Sequence, residues 1–256
     1  MLKGKTALVT GSTSGIGLGI AKALARQGAS IVMNGFGDVN GPKAQIEALG
    51  VKAAYHGADM SKPAEIEAMM KFAAATYGRV DILVNNAGIQ HVANVEDFPV
   101  DRWDAIIAIN LSSAFHTTRL AIPAMKAANW GRIINVASAH GLVASPQKSA
   151  YVASKHAIVG FTKSIALETA TTGVTSNAIC PGWVLTPLVQ KQIDARAERE
   201  RIPVEQASRD LLAEKEPSLQ FTTPEELGEL AVFFCSEAAR NVRGVAWTMD
   251  GGWTAQ

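Results

Sequence analysis

Three polar side chains near the middle of the chain have the types and spacing needed to move a proton. Tyr151 and Lys155 are four residues apart in a helical pattern, which puts them on one helix face about a turn apart. A free phenol has a pKa of about 10, and a neighbouring ammonium group moves that pKa toward neutral pH. Ser138 ends the preceding apolar strand and could donate a hydrogen bond to an oxygen that gains charge. The trio predicts proton transfer with an alcohol, although Tyr-x-x-x-Lys alone fits an ordinary surface helix equally well.

A glycine-rich turn near the start of the chain predicts where a nucleotide binds. The apolar residues 6–10 run directly into Gly11-Ser-Thr-Ser-Gly15-Ile-Gly17, and residues 18–27 have helical periodicity. Glycines allow a tight turn and close approach of a ligand to the backbone, while the helix N-terminus offers N–H groups to a pyrophosphate. Because strand, turn and helix follow in this order, we interpret the segment as a cofactor site.

The end of the second strand predicts which dinucleotide binds. Residues 30–34 form this strand, and Gly35-Phe36-Gly37-Asp38 follows. In dinucleotide folds an acidic residue here binds the ribose 2′-hydroxyl, whereas an Arg accommodates a 2′-phosphate. No Arg or Lys lies in the glycine-rich turn or directly after this strand, so we expect NAD rather than NADP. Asp38 is a candidate ribose ligand, but it fits a solvated loop residue at least as well.

Strands and helices alternate along the rest of the chain. Strands are predicted at 51–57, 80–84, 132–137, 174–179 and 245–249, and helices at 42–49, 101–127 and 224–235, with a further helix from an N-cap at Ser61 to Tyr77. This alternation predicts an α/β fold: a single-domain Rossmann-type, doubly wound parallel sheet with helices on both faces, spanning residues 1–256. Residues 185–220, which we call the lid segment, are helical, charged and interrupted by Pro203 and Pro217, and we expect them to cover the site.

Two adjacent asparagines, Asn85 and Asn86, follow the fourth strand. They could hold the loop or contact the cofactor ribose. We favour the cofactor contact, because ligands of open parallel sheets gather at the carboxyl ends of the strands.

The composition excludes several classes of protein. A net charge of +1 with scattered Lys and Arg argues against an extended nucleic-acid interface. The two cysteines, Cys180 and Cys235, form neither a CxxC pair nor a disulfide framework, and the five histidines lack metal-ligand spacing, so we expect no metal. No apolar run approaches the roughly 18 residues of a membrane span, and the N-terminus does not read as a signal peptide. We expect a cytoplasmic protein.

Three motifs occur together in order: Thr10-Gly-x-x-x-Gly15-x-Gly17, Asn85-Asn-Ala-Gly88, and Ser138 with Tyr151-x-x-x-Lys155. Together they resemble the short-chain dehydrogenase/reductase family over essentially the whole chain. The resemblance implies hydride transfer between a nicotinamide cofactor and an alcohol or ketone carbon, in a homotetramer. It implies that Tyr151 is the general acid/base, Lys155 lowers its pKa, Ser138 orients the substrate, and Asn110 supports a proton relay through water. The implied cofactor contacts are Gly11, Thr13, Ser14, Gly15, Ile16, Gly17, Phe36, Asp59, Asn86, Ala87, Gly88, Tyr151, Lys155, Pro181, Gly182, Val184 and Thr186.

Shorter segments resemble one group of that family, the bacterial D-3-hydroxybutyrate dehydrogenases. They include Ser138-Ala-His140-Gly-Leu-Val-Ala144, Lys148-Ser-Ala-Tyr151 and Lys215-x-Pro-Ser-Leu-Gln-Phe221. The implied substrate contacts are Gln90, Ser138, His140, Lys148, Tyr151, Trp183, Gln192 and Trp253. Neutral and cationic donors among them suit a carboxylate, and the two tryptophans would wall off a small apolar pocket. Leu185 and Gln190 depart from that group, where Arg and Glu are expected.

The sequence therefore predicts an NAD-dependent enzyme that oxidises (R)-3-hydroxybutyrate, a short 3-hydroxy acid, to acetoacetate. Two alternatives stay open. The first is a short-chain reductase for another substrate, such as a 3-oxoacyl thioester. The second is a catalytically silent, cofactor-sensing binding protein on the same fold, since fold alone does not determine function.

Overall fold

Short apolar segments form the strands of one parallel sheet in a computed structural model that describes residues 1–255. The strands are β1 Thr6–Val9, β2 Ser30–Met33, β3 Ala53–Tyr55, β4 Ile82–Asn85, β5 Gly131–Val136, β6 Val174–Pro181 and β7 Ala246–Met249. Their order across the sheet is β3-β2-β1-β4-β5-β6-β7, and every neighbouring pair is parallel. The chain order reverses between β1 and β4, which is where an open parallel sheet forms a binding crevice.

Helices connect the strands and cover both faces of the sheet. They are α1 Gly15–Arg26, α2 Asn40–Glu47, α3 Pro63–Tyr77, α4 Val100–Ile107, α5 Ser113–Ala127, α6 Ser149–Glu168, α7 Pro187–Glu200, α8 Val204–Ala213 and α9 Pro224–Cys235. The predicted α/β doubly wound fold is confirmed.

The strands read as continuous apolar runs because both faces of the sheet are buried. Successive side chains of a strand point to opposite faces. Val9 of β1 packs on the side of α1 and α9, where Phe234 is fully buried. Leu8 packs on the other side with Ile66 of α3 and Met125 of α5. The sheet is thus clamped between two apolar layers, which fixes the positions of its strand ends.

The structure corrects two sequence predictions about helices. The helix predicted at 101–127 is divided into α4 and α5 by a wide π-helical turn, Ala108–Ser112, whose middle residue is Asn110. The predicted N-cap Ser61 is wrong, because Lys62 occupies that position. The Ser61 hydroxyl group donates instead to Asp59 Oδ1 at 2.7 Å.

The lid segment contains α7 and α8, which pack on each other through a small apolar cluster. Val189, Ile193 and Ala197 of α7 meet Ala207 of α8 in this cluster. The helix α7 ends at Glu200 and is followed by Arg201, whose φ of 55° lies in the left-handed region, two residues before the predicted break at Pro203. The lid segment therefore has a core of its own and packs as a unit.

Candidate active site

The glycine-rich turn between β1 and α1 is shaped by close backbone contacts. Gly11 and Gly15 have φ values of 62° and 52°, which L residues adopt rarely. A Cβ atom on Gly17 would collide with the carbonyl oxygen of Gly11 and with the side-chain amide of Asn86. Ser14 precedes α1 without a side-chain capping hydrogen bond, so the first N–H groups of the helix are not capped by it. Free N–H groups beside a turn without side chains suit a pyrophosphate, so the turn fits a dinucleotide.

Asn86 braces this turn from the neighbouring strand. Its side-chain nitrogen donates to the carbonyl oxygens of Thr10 and Gly11 at 2.9 and 3.0 Å. The Thr10 hydroxyl oxygen accepts the backbone N–H groups of Asn86 and Ala87, each at 3.0 Å. The amide nitrogen of Asn86 therefore holds the loop, while the residue as a whole still lines the cavity described below.

Asn85 does not face the cofactor crevice, and the expectation that it contacts the ribose is wrong. Its side chain is buried, accepts from Thr117 at 2.7 Å and donates to Asn135 at 2.8 Å. Asn135 donates in turn to Thr162 of α6 at 2.8 Å. This buried network joins β4 and β5 to α5 and α6, and so it helps to fix the helix that carries Tyr151.

The residues that follow β2 present no cationic side chain to the crevice. Thr13 donates to the carbonyl oxygen of Phe36 at 2.7 Å, and the ring of Phe36 is exposed. Asp38 Oδ1 accepts the N–H groups of Asn40 and Gly41 at 3.1 and 3.3 Å, at the start of α2. In the structure Asp38 is therefore a loop residue at the start of α2, which agrees with the interpretation of a solvated loop aspartate.

A cavity of about 920 Å³ runs along the carboxyl ends of the strands. Every cofactor contact implied by the family resemblance lines it, from Gly11 in the first turn to Thr186 before α7, whereas Asn85 does not. Lys155 is the only Lys or Arg side chain among the lining residues that the structure describes. The cavity extends over β1 and β4 toward the Tyr151 end, and so it suits an elongated dinucleotide.

Ser138, Tyr151 and Lys155 meet at one end of this cavity. Ser138 follows β5, and its hydroxyl oxygen accepts the backbone N–H of His140 at 3.1 Å. Lys155 Nζ donates to the carbonyl oxygen of Val136 at 2.7 Å and lies 5.5 Å from the centre of the Tyr151 ring. The strand end and the α6 face thus bring the predicted trio together.

Burial dominates the acid–base properties of this trio. It raises the pKa of Tyr151, and a hydrogen bond with Ser138 partly opposes that rise. It lowers the pKa of Lys155 to about 8. Desolvation outweighs the hydrogen bond with Ser138 in the protein alone, and the implied role of Lys155 in lowering the Tyr151 pKa stays a prediction.

Asn110 is buried in the π-helical turn and does not line the cavity. Its side chain accepts the N–H of Ile89 at 2.8 Å and donates to the carbonyl oxygen of Ile89 at 2.9 Å. It also donates to the hydroxyl group of Ser154 at 3.2 Å. These bonds fix the loop that carries Gln90. The implied role of Asn110 in a proton relay stays a prediction.

His140 and Trp253 form an aromatic layer behind Tyr151. The imidazole ring meets the rings of Tyr151 and Trp253 edge-on, with centroids 5.8 and 4.9 Å away. His140 Nε2 lies 2.9 Å from the hydroxyl group of Ser145. Burial, followed by the charges of Lys148 and Lys215, lowers the pKa of His140 to about 4, so the ring is neutral at pH 7.

Two ammonium groups flank this layer. Lys148 Nζ lies 5.8 Å from the centre of the Trp183 ring, and Lys215 Nζ lies 5.7 Å from the centre of the Trp253 ring. Burial and the charge of Lys215 lower the pKa of Lys148. The structure therefore places the predicted substrate residues at the Tyr151 end. Gln90, Trp183 and Gln192 line the cavity itself, whereas His140, Lys148 and Trp253 do not.

Sequence reasoning missed several lining residues and one buried acid. The lining residues share positions at strand ends or in the first turn of α7, and they include Asn34, Gly35, Met60, Ile89, His91, Pro187, Leu188 and Val189. Their positions, directly after β2 or inside the lid segment, are the sequence features from which some of them could have been predicted. The acid is Glu216, which is 1% exposed and accepts the backbone N–H of Trp183. No sequence pattern distinguishes it from the solvated acids around it.

The structure also bears on the predictions about metal ions, membrane spans and cysteines. Among residues 1–255, no cluster of three or more His, Cys, Asp or Glu side chains has a geometry suited to a metal ion. Within the same range, no helix combines the length and apolar character needed to cross a membrane. Cys180 and Cys235 are both buried as free thiols. Burial raises their pKa values to about 11 and 12.

A parallel sheet with a dinucleotide-sized cavity at its switch point, and a Ser-Tyr-Lys trio at one end, defines an oxidoreductase that uses a nicotinamide cofactor. The chain belongs to the short-chain dehydrogenase family, whose model matches residues 5–197. The resemblance of the three motifs to this family is thereby confirmed.

Individual relatives narrow the comparison. The chain is 74% identical over 258 residues to the D-beta-hydroxybutyrate dehydrogenase of Cupriavidus necator, with 100% of both chains covered. It is 55% identical over 256 residues to the D-beta-hydroxybutyrate dehydrogenase of Rhizobium meliloti, with 98% of this chain and 99% of the relative covered. Among solved structures it is similar to L-sorbose reductase from Gluconobacter frateurii, complexed with NADPH and L-sorbose. That match has a TM-score of 0.95 and 30% identity, and it covers 100% of this chain and 98% of the other.

Proposed function

We propose that the chain catalyses the reversible, NAD-dependent oxidation of (R)-3-hydroxybutyrate to acetoacetate. The observation that carries the proposal is the position of neutral His140 beside Tyr151 and of Lys148 over Trp183, at the end of the cavity that Gln90 and Gln192 line. A half-buried ammonium group among neutral donors suits one small carboxylate next to the reacting carbon. The two full-length relatives named D-beta-hydroxybutyrate dehydrogenase support the same substrate.

The protein's own residues supply position and a proton path. The Ser138 hydroxyl group holds the substrate oxygen, and Tyr151 removes its proton as the alcohol becomes a ketone. Because burial raises the pKa of Tyr151, oxidation should accelerate as pH rises above neutrality. Lys155, tied to Val136, keeps an ammonium group at the buried end of the cavity below pH about 8. Nicotinamide, when bound, would supply the hydride acceptor.

NAD is the proposed cofactor rather than NADP. A 2′-phosphate needs a cation near the end of β2, and the lining residues there are Asn34, Gly35, Phe36 and Asp59. The Asp59 carboxylate accepts the N–H and hydroxyl groups of Ser61, which lowers its pKa and keeps it charged at neutral pH. The Asp59 carboxylate can accept hydrogen bonds from hydroxyl groups, and the exposed Lys62, 3.6 Å from it, is engaged by this carboxylate and by Glu65.

NADH formation with purified protein, NAD and (R)-3-hydroxybutyrate tests the proposal. The (S) enantiomer, the methyl ester and NADP run in parallel. Turnover with the free (R) acid and NAD is expected. Activity that requires the ester or NADP would return the chain to the general reductase class, including enzymes of 3-oxoacyl thioesters. No turnover with any substrate, together with tight NAD binding, would favour the cofactor-sensing alternative.

Replacement of Tyr151 with Phe tests the proton path. Turnover should fall by about 100-fold or more, which is the usual worth of a positioned acid/base. Tyr77→Phe is a matched control, because Tyr77 packs in the apolar layer beside α3 and lies outside the cavity. Near-normal turnover of the Tyr151 variant would remove the assigned role.

We also propose that the active form is a cytoplasmic homotetramer. Large apolar side chains are exposed on α4 and α5, Trp103 and Phe115 among them, and Trp247 is exposed on the edge strand β7. Such surfaces suit subunit contacts. Light scattering of the purified protein at micromolar concentration should give four times the mass of one 27.0 kDa chain. A monomer at that concentration would refute the assembly.

A further inference from the structure

Glu216 is a buried carboxyl group that the proposed reaction does not use. It lies at the end of the lid segment and is 1% exposed. Oε1 accepts the backbone N–H of Trp183, while Oε2 is buried without a hydrogen-bond partner among residues 1–255. No Lys, Arg or His within those residues forms an ion pair with it. A buried acid without a cation is costly in its charged form.

The backbone around Glu216 leaves room for little except its carboxyl group. A Cβ atom on Gly182 would collide with Oε1, and one on Gly251 would stand 3.0 Å from Oε2. Gly182 directly follows β6, and Gly251 follows β7. Two neighbouring strand ends therefore lack side chains where the carboxyl group sits, so it is enclosed by backbone on both sides.

The segment around Glu216 connects the lid to both tryptophan walls of the substrate end. The Glu216 N–H donates to the Leu212 carbonyl oxygen at the end of α8 at 2.7 Å. The Ser218 N–H donates to the Gly251 carbonyl oxygen at 3.0 Å, two residues before Trp253. The carboxyl group itself holds the backbone of Trp183, whose ring packs against the lid cluster. Movement of Glu216 would thus displace Trp183 together with the lid.

Few charged groups accompany this carboxyl group. Asp250, at the end of β7, is the one that acts on it, and its own oxygens accept from Gly252 and Thr254. On its own segment, the Glu214 carboxylate pairs with Arg196 of α7 at 2.6 Å and the Lys215 ammonium group lies over Trp253. Burial, reinforced by Asp250 and opposed by the bond from Trp183, raises the pKa of Glu216 to about 7.

We propose that Glu216 is a positioning residue that fixes Trp183 and the lid over the substrate carboxylate in its protonated form and releases them when it ionises. The proposal rests on the proposed function. Ionisation would place a second negative charge beside Asp250, directly behind one wall of a site that takes an anion. Because a charged carboxylate is costly to bury, ionisation would favour an open arrangement in which Glu216 is hydrated. Burial, reinforced by Asp250, outweighs the hydrogen bond from Trp183, which favours the ionised form, so the lid would loosen and the substrate anion would bind more weakly.

Steady-state kinetics across pH 6 to 9 test this inference, with wild type and Glu216→Gln compared. Glutamine keeps an oxygen that can accept the Trp183 N–H, and it cannot ionise. The wild-type KM for (R)-3-hydroxybutyrate should rise at least threefold as pH passes about 7, whereas that of the variant stays flat. The rise in kcat that reports Tyr151 should be the same in both. Glu214→Gln removes an exposed carboxylate two residues away, and its KM profile should match wild type.

Parallel KM profiles for wild type and Glu216→Gln would overturn the inference while leaving the proposed function intact. If the protein does not turn over the acid at all, amide hydrogen exchange of the peptide covering residues 182–188 still decides. At pH 8 that peptide should exchange at least threefold faster in wild type than in Glu216→Gln, and at pH 6 the two should agree. Equal exchange at both pH values would refute the role of Glu216 independently of activity.

Discussion

Replacement of Glu216 with glutamine should stabilise the protein, by an amount that grows as pH rises above about 4.5. Burial and Asp250 raise the pKa of Glu216 from its usual 4.5 to about 7 in the folded chain. Because the folded protein then binds the proton more tightly than the unfolded chain, folding is penalised wherever the unfolded acid would be ionised. The penalty is absent below pH 4.5, grows as pH rises, and is complete above the folded value of about 7.

Its magnitude follows from the size of the shift. Each pKa unit corresponds to about 1.36 kcal/mol, so a rise from 4.5 to about 7 corresponds to about 3 kcal/mol at alkaline pH. About 2.5 kcal/mol of this develops between pH 5 and pH 8. For a chain of 256 residues, 1 kcal/mol moves the melting temperature by about 2–4 °C. Glu216→Gln should therefore gain roughly 5–10 °C on wild type between those pH values.

Scanning calorimetry at pH 5 and pH 8 measures this difference directly. Both proteins are held at the same concentration, because subunit association contributes to apparent stability. Glu214→Gln is the control, since its carboxylate is exposed and pairs with Arg196 at the surface. A melting-temperature difference between Glu216→Gln and wild type that does not change with pH would refute the burial argument, whatever its sign.

Two further substitutions test the ends of the cavity. Lys148→Ala should raise the KM for (R)-3-hydroxybutyrate about tenfold or more and change that for NAD less than twofold, because its half-buried ammonium group lies over Trp183 at the proposed carboxylate end. Lys163→Ala, on the exposed face of α6, the helix that follows Lys148, should change neither KM. An unchanged KM in Lys148→Ala would remove Lys148 from the site. Gly17→Ala should weaken NAD binding at least tenfold in titration calorimetry, because its Cβ would collide with the Gly11 carbonyl oxygen. Gly160 in α6 has open space around it, so Gly160→Ala should leave NAD affinity unchanged. Equal NAD affinities in the two alanine variants would argue against pyrophosphate binding by the glycine-rich turn.

The parts of the site that the sequence predicted are those encoded by short spacings. The glycine-rich turn and the Tyr151–Lys155 pair each lie within about two helical turns, so local geometry already brings their groups together. The strands were recognisable as well, because burial on both faces leaves continuous apolar runs. Asn85 and Asn86 show where such reasoning stops. Adjacent residues of a strand point to opposite faces, and which face meets the cofactor depends on Thr117 and Asn135, far along the chain.

The π-helical turn around Asn110 was equally out of reach. Helical periodicity continues through α4 and α5, so the extra residue in the turn leaves no mark on the apolar pattern. What reveals it is the pair of bonds between Asn110 and Ile89, a contact that spans 21 residues. Helical turns of this width recur at functional sites, because they let one side chain reach across to a neighbouring segment.

At the substrate end, two side chains carry positive charge and two titratable groups beside them stay neutral. Lys148 and Lys215 carry positive charge, His140 is kept neutral by their presence and by burial, and Glu216 holds a proton up to about pH 7. Two ammonium groups therefore flank the cavity end, and below about pH 7 Glu216 adds no negative charge to that of Asp250 behind it. A fully ionised acid in the place of Glu216 would offset part of their positive potential, and a salt bridge to it would engage a lysine that the substrate needs. Keeping the acid buried and unpaired leaves both ammonium groups free, at the expense of stability above neutral pH.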